Sequence, residues 1–243
     1  MSKPQQHSNG ASSELSAVAE RYDRRKSRDI ADLYDPLNAS VWLARQERER
    51  ALICWIHASG LAPVGDRTLL EIGCGTGGNL LALLQLGFRP THLVGNELLE
   101  ERVALARERL PAATRILVGD AASLDLGDER FDVVFQSTVF SSILDDEFQA
   151  RLARRMWTLA KPGGQVLWYD FTWDNPRNRD VRGVSVARIR ELFPDGELEV
   201  RRVTLAPPLS RFLARIHPSL YTLCNLLPFL RTHVLAWIRK PND

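Results

Sequence analysis

Cysteine is scarce in this chain, and its placement argues against a secreted scaffold. The three residues, Cys54, Cys74 and Cys224, are odd in number and share no metal-ligand spacing. That suits a reducing compartment better than a disulfide framework. An excess of one charge is also missing. Lysine and arginine total 32 against 30 acids, a formal net charge of +2, without the marked basic excess of a nucleic-acid-binding domain. No nucleic-acid partner is expected. Long apolar runs are absent too: none reaches the roughly 18 residues that would span a bilayer. The nearest candidate, Leu220 to Ile238, is interrupted by Asn225, Pro228, Arg231 and His233. The opening stretch, MSKPQQHSNGASSELS, lacks the apolar centre of a signal peptide. A cytoplasmic location is the expectation.

What is present is enough for one large α/β domain. Residues 1–15 are rich in Ser, Gln, Gly and Asn and read as a disordered tail. Residues 16–60 carry a helical pattern broken at Asp35-Pro36, and read as an N-terminal helical lid. From Thr68 onward, short apolar runs alternate with helical stretches. The runs are Thr68–Ile72, His92–Glu97, Arg115–Val118, Phe131–Gln136 and Gln165–Phe171, with helical stretches at 78–87, 99–109, 145–160 and 185–193. Toward the end of the chain two more strands are expected, Glu197–Leu205 and Thr232–Arg239, flanking an apolar helical segment. Strands alternating with helices predict a doubly wound, mainly parallel, seven-stranded sheet with helices on both faces. Residues 61–243 form the ligand-binding domain in this reading, with a cover or substrate segment at about 205–232.

The strongest local motif is LLEIGCGTGG, Leu69 to Gly78, set between a strand and a helix. Glycines are needed where backbone turns sharply and approaches a ligand closely. Gly73, Gly75 and Gly78 satisfy the dinucleotide pattern G-x-G-x-x-G. Gly73, Gly75 and Gly77, after Glu71, satisfy the E-x-G-x-G-x-G pattern of enzymes that use S-adenosylmethionine (SAM). Glu71 separates the two readings, because a pyrophosphate would be repelled by an acid there, whereas an ammonium group would be attracted. Glu97, 20 residues beyond Gly77, can take the two ribose hydroxyls of either cofactor. Asp120, in Leu117-Val-Gly-Asp-Ala, can accept from the exocyclic amine of adenine, and the next backbone amide can meet a ring nitrogen. Phe131-Asp-Val-Val-Phe-Gln-Ser ends a strand beside the ligand, and Leu159-Ala-Lys-Pro-Gly-Gly is a structural turn into the next strand.

Five elements in this order resemble the class I SAM-dependent methyltransferases, over roughly residues 65–175. The resemblance implies a Rossmann-like fold and SAM as cofactor. It places the amino-acid portion of SAM on Glu71, Gly73, Cys74, Gly75 and Gly77, and the ribose on Glu97 beside Leu98. Adenine falls to Asp120 and Ala121, and the methionine side to Gln136. One departure is Asn96, polar where such enzymes usually carry an apolar residue.

Segments outside the cofactor core carry a narrower resemblance. They include Tyr22-Asp-Arg-Arg, Gln46-Glu-Arg-Glu-Arg, Thr138-Val-Phe-Ser-Ser-Ile, Trp168-Tyr-Asp-Phe, Asn175-Pro-Arg-Asn, Leu205-Ala-Pro-Pro-Leu and Leu230-Arg-Thr-His. Together they look like bacterial methyltransferases associated with polysaccharide and O-antigen biosynthesis. That implies O-methylation of a sugar hydroxyl, on an acceptor that is free or lipid-linked, by an enzyme in the cytoplasm or peripheral to the inner membrane. Gln136-Ser-Thr-Val stands where amino-directed nucleic-acid enzymes carry an acid- or amide-Pro-Pro-aromatic motif, which counts against an amine acceptor.

A hydroxyl is a poor nucleophile and usually needs a base. Asp170, at a strand end, is the expected base, with ordering of its own loop as the alternative role. Tyr22, Arg25, Asn175 and Arg177 are the expected acceptor-side residues. Of five histidines, only His217 and His233 lie where they could face a substrate. No metal is expected, since Asp170, Asp174 and Asp180 form only a loose acidic set. Pro207–Leu230 could lie on a membrane surface, cover the sheet or meet a second copy in a homodimer. Other readings stay open: an NAD-dependent oxidoreductase, a small-molecule methyltransferase, or a SAM-binding subunit without catalysis in a glycan-assembly complex.

Overall fold

The computed structural model describes residues 6–24, 35–174 and 178–242. Seven strands form one sheet in the order β3-β2-β1-β4-β5-β7-β6. They are β1 (Leu69–Ile72), β2 (Leu93–Glu97), β3 (Arg115–Val118), β4 (Phe131–Ser137), β5 (Ala160–Phe171), β6 (Glu197–Leu205) and β7 (Arg231–Arg239). Strands β1 to β5 pair in parallel, while β7 runs antiparallel between β5 and β6. The order reverses between β1 and β4, where open α/β sheets place their ligands.

The helices are α1 (Gln6–Arg24), α2 (Ala39–Ala58), α3 (Gly78–Gln85), α4 (Glu100–Arg109), α5 (Asp146–Leu159), α6 (Val186–Leu192), α7 (Pro207–Ile216) and α8 (Pro218–Asn225). Strand β1, Leu-Leu-Glu-Ile, is buried at all four positions, because helices cover both faces. Alternate residues feed two core layers. Leu69, Val133, Phe135 and Leu167 meet Leu52 and Trp55 of α2, Leu80 and Leu83 of α3 and Val103 of α4. Leu70, Val134, Val166 and Trp168 meet Val18 of α1, Phe148, Leu152 and Met156 of α5 and Ile189 of α6. Each buried side chain of this size stabilises the fold by ~1.5–3 kcal/mol.

Local chemistry starts the helices. Asn38 caps α2 by accepting from Ser40 N, Asp145 caps α5 through Phe148 N at 2.6 Å, and Ser185 caps α6. In α5 the buried Phe148, Leu152 and Met156 recur every four residues and form the stripe that docks on the sheet.

Two expectations are corrected. The tail of residues 1–15, expected to be disordered, is helical from Gln6. The second half of α1 docks through Leu15, Val18 and Tyr22, and a docked helix extends cheaply because each further residue adds one hydrogen bond. The helical lid of residues 16–60 is divided between opposite faces of the sheet. Helix α1 packs in one core layer and α2 in the other, where Trp55 is fully buried and donates to Gln165 Oε1 at 3.1 Å. The apolar segment near the end forms two helices, parted at His217-Pro218.

Candidate active site

The glycine loop joins β1 to α3 at the carboxyl edge of the sheet. Gly73, Gly75 and Gly77 adopt φ of 65°, 59° and 82°, the left-handed region where side chains are strained. Gly78 is different: it lacks a positive φ, and a Cβ there would meet nothing within 4 Å. The third glycine of the dinucleotide pattern allows close helix–strand packing, and this one has no such contact. The loop follows the E-x-G-x-G-x-G pattern.

Glu71 lies directly beneath this loop with no exposed surface. Asn79 Nδ2 donates to Glu71 Oε1 at 2.6 Å, while Oε2 is buried without a hydrogen-bond partner among the described residues. Burial raises its pKa to about 7, against the opposing effects of Asn79 and Arg48. An unmet carboxylate oxygen at the mouth of a glycine loop calls for a donor, and a cationic ammonium would satisfy it best. The raised pKa also links to stability. The folded chain keeps this proton where the unfolded chain has released it, so the stabilisation is complete below the ordinary value of 4.5 and is lost as pH rises through about 7. We predict that Glu71→Gln flattens the decline of the thermal midpoint between roughly pH 5 and 8. An unchanged slope would show that Glu71 titrates normally.

Glu97 ends β2 and ties the site together. Its Oε2 accepts from Gly75 N at 2.9 Å, and its Oε1 accepts from Leu98 N and Leu99 N at 2.9 and 3.1 Å. Arg102 lies 3.6 Å from Oε2, and its guanidinium covers the Tyr22 ring at 4.8 Å from the centroid. Tyr22 of α1 thus reaches the glycine loop through Arg102, a residue that sequence reading missed because only the α4 docking geometry puts it there. Glu97→Ala should weaken SAM binding by about 1–3 kcal/mol, since charge-assisted bonds to ligand and loop are lost together. Calorimetry on the folded variant checks this, and an unchanged dissociation constant would remove Glu97 from the site.

Cys74 contributes backbone rather than thiol. Its N–H donates to Asn96 O at 2.8 Å, while its side chain turns into the core against Gly95, where burial pushes the thiol pKa up. Asn96, the departure noted in the motif, has a structural reason: its Nδ2 donates to Gly119 O at 2.9 Å, pinning the loop after β3. That loop carries Asp120, whose Oδ1 accepts from Ala122 N and whose Oδ2 accepts from Ser123 Oγ, with Ala121 buried beside it. Both oxygens keep capacity for a second donor. Gln136 is fully buried, and its Oε1 accepts from Val139 N at 3.0 Å. It shapes the turn after β4, where a Cβ on Gly73 would lie 2.5 Å from Val139 Cγ2.

The neighbouring ends of β4 and β5 hold the other expected residues. Asp170 has no exposed surface; its Oδ2 accepts from Ser141 N at 3.1 Å and its Oδ1 from Phe171 N at 3.0 Å. Burial raises its pKa to about 7, against these hydrogen bonds. It therefore anchors the Thr138–Ser142 turn, whatever further part it takes. Arg25, Asn175 and Arg177 fall outside the described residues. His217 is an exposed helix cap, accepting from Ser219 N. Asp174 accepts from Gly183 N, and Asp180 pairs with Arg24 at 2.7 Å. Among the described residues no three His, Cys, Asp or Glu side chains gather as a metal site.

A polar cluster on the α2 side of β5 was not foreseen. Tyr169 OH meets Thr204 Oγ1 at 2.8 Å, and Glu47 Oε2 accepts from both Thr204 N and Thr204 Oγ1. The Arg48 guanidinium covers the Tyr169 ring, and His233 stacks on it with centroids 5.2 Å apart. Burial, with Arg48 nearby, lowers the His233 pKa to about 4 and keeps it neutral. Thr138 and Thr204 are the non-glycine residues with positive φ among those described, 57° and 62°. Both bond to Tyr169, Thr138 N to its carbonyl at 2.8 Å. Left-handed β-branched residues are costly and concentrate at functional sites.

The comparisons with known proteins agree with this geometry. Residues 69–164 match the methyltransferase domain family. Over that stretch the sequence is similar to a methyltransferase domain. Over 140 residues the chain is 29% identical to trans-aconitate 2-methyltransferase of Variovorax paradoxus, covering 57% of this chain and 52% of that protein. Over 110 residues it is 34% identical to fatty-acid O-methyltransferase of Mycolicibacterium smegmatis, covering 45% and 39%. The chain spans about half the length of these curated relatives, or less. The fold is shared with magnesium protoporphyrin IX methyltransferase from Synechocystis PCC 6803, a crystal structure with bound SAM. That match has a TM-score of 0.62 at 14% identity, over 92% of this chain and 97% of the other.

Proposed function

We propose that this protein methylates a hydroxyl group, using SAM, on a sugar of a bacterial surface polysaccharide or O-antigen. The observation that carries the cofactor assignment is the buried, unpartnered Oε2 of Glu71 beneath the glycine loop. When bound, SAM supplies an electrophilic methyl group on a sulfonium. Glu71 and the loop amides would hold its ammonium and carboxylate ends. Glu97, beside Leu98, would take the ribose hydroxyls in place of Arg102. Asp120 and Ala121 would receive the adenine, and Gln136 would hold the turn facing the methionine side.

Oxygen as the methylated atom is supported by the Gln136-Ser-Thr-Val sequence at the end of β4 and by the fatty-acid O-methyltransferase among the relatives. The sugar acceptor rests on the narrower resemblance of the flanking segments. In this reading Asp170 accepts the hydroxyl proton, since a carboxyl with a pKa near 7 is poised for that task. Tyr22 of α1 would face the acceptor, and the other expected acceptor-side residues, Arg25, Asn175 and Arg177, lie outside the described residues.

The test has two parts. S-adenosylhomocysteine, and not NAD, should raise the thermal midpoint. Surface glycan from a deletion strain should lose one methyl group per acceptor unit by mass spectrometry. Stabilisation by NAD alone would sink the cofactor assignment. An unchanged glycan would sink the acceptor, and cofactor binding without transfer to any glycan would make this a SAM-binding subunit.

A further inference from the structure

Between β6 and β7, helices α7 and α8 and the turn after them expose Phe212, Ile216, Leu223, Leu226 and Phe229, each 60–75% accessible. Scattered single apolar residues on a surface need no explanation, but five this exposed within 18 residues of chain do. Along this part of the chain the charges are of one sign. From Val200 to Asn242 the chain has no Asp or Glu, and it carries Arg201, Arg202, Arg211, Arg215, Arg231, Arg239 and Lys240. Arg239 is paired with Glu197 and Glu199, and Arg231 donates to backbone carbonyls. Arg211 and Arg215 are one turn apart on α7, beside Asn38 and Ala39, and meet no carboxylate among the described residues.

We propose that the α7–α8 surface docks on an anionic lipid bilayer. Exposed phenylalanine and leucine beside arginines, with acids excluded, is the composition that binds an interface by apolar insertion and charge attraction together. A second copy of the chain fits less well, because a two-fold contact would bring Arg211 and Arg215 against their own copies without an acid to offset them. Among the described residues no helix is long and apolar enough to cross a membrane, so the contact is with the surface. Its position is consequential. Strand β6 runs parallel to β5, since both pair antiparallel with β7. Helices α7 and α8 therefore leave and re-enter the sheet at the same edge as Asp170 and the glycine loop. Docking would turn that edge toward the bilayer.

Flotation of the full chain with vesicles tests this. The protein should float with an equal mixture of phosphatidylcholine and phosphatidylglycerol, at least about tenfold more than with phosphatidylcholine alone, and high salt should release it. The paired substitutions Arg211→Glu/Arg215→Glu and Phe212→Ser/Phe229→Ser should each cut the bound fraction at least about tenfold, with the thermal midpoint unchanged. The lipid and salt comparison on the unaltered protein stands if a variant fails to fold. Absence of flotation with the anionic vesicles overturns the proposal, as does flotation that the arginine substitutions leave unchanged. Self-association by light scattering, without flotation, would also overturn it and make the surface a dimer contact.

Discussion

Replacing Gly75 by valine should weaken SAM binding at least about 100-fold, ~2.7 kcal/mol. Three effects act in the same direction. The residue sits at φ 59°, where a β-branched side chain is strained. Its Cβ would lie 2.6 Å from Arg102 Nη2, so the guanidinium must leave its place beside Glu97. Its own N–H donates to Glu97 Oε2 at 2.9 Å, so any shift of the loop also releases the carboxylate expected to take the ribose. Gly78→Ala is the matched control, because that site has open space and no positive φ, and its affinity should stay close to that of the parent protein. Calorimetry with SAM on both variants decides. Normal affinity in a folded Gly75→Val protein would remove the glycine loop from the cofactor site altogether.

Asp170→Asn should lower turnover by about 10²–10⁴-fold while SAM affinity is kept, the usual contribution of a positioned base. The carboxylate matters when the acceptor proton leaves, and not while the cofactor binds. With a pKa near 7, activity should rise through neutral pH as the group ionises, and the asparagine variant should lose that limb. The same burial sets a stability cost of known sign. A folded pKa raised from the ordinary 3.8 gives stability that is present at low pH and lost as pH passes about 7, and the variant should lack this loss. Asparagine can replace only one of the two acceptors that hold Ser141 N and Phe171 N, so a modest fall in thermal midpoint is expected as well. Turnover reduced less than about threefold, with the pH limb intact, would leave Asp170 as the anchor of the Thr138–Ser142 turn and make His233 the next residue to test.

The sheet, its strand positions and the glycine loop were legible in the sequence because each is set by local rules. Alternating apolar runs and helical stretches dictate a parallel sheet covered on both faces. Left-handed backbone at Gly73, Gly75 and Gly77 demands glycine at those positions. Glu71 and Glu97 could be singled out because open sheets of this topology bind ligands at the carboxyl ends of their strands. What stayed hidden depends on residues far apart in the chain. Helix α1 extends into a polar tail because Val18 and Tyr22 find the sheet. Tyr22 meets Arg102 only after α1 and α4 dock, and Glu47, Arg48, Tyr169, Thr204 and His233 come from four separate elements. The pattern of a strand predicts which face a residue occupies, but not that Asp170 would be sealed by the turn carrying Ser141. Local periodicity carries no information about which distant groups share a face, so burial, the resulting pKa shifts and the polar cluster were decided by tertiary packing alone.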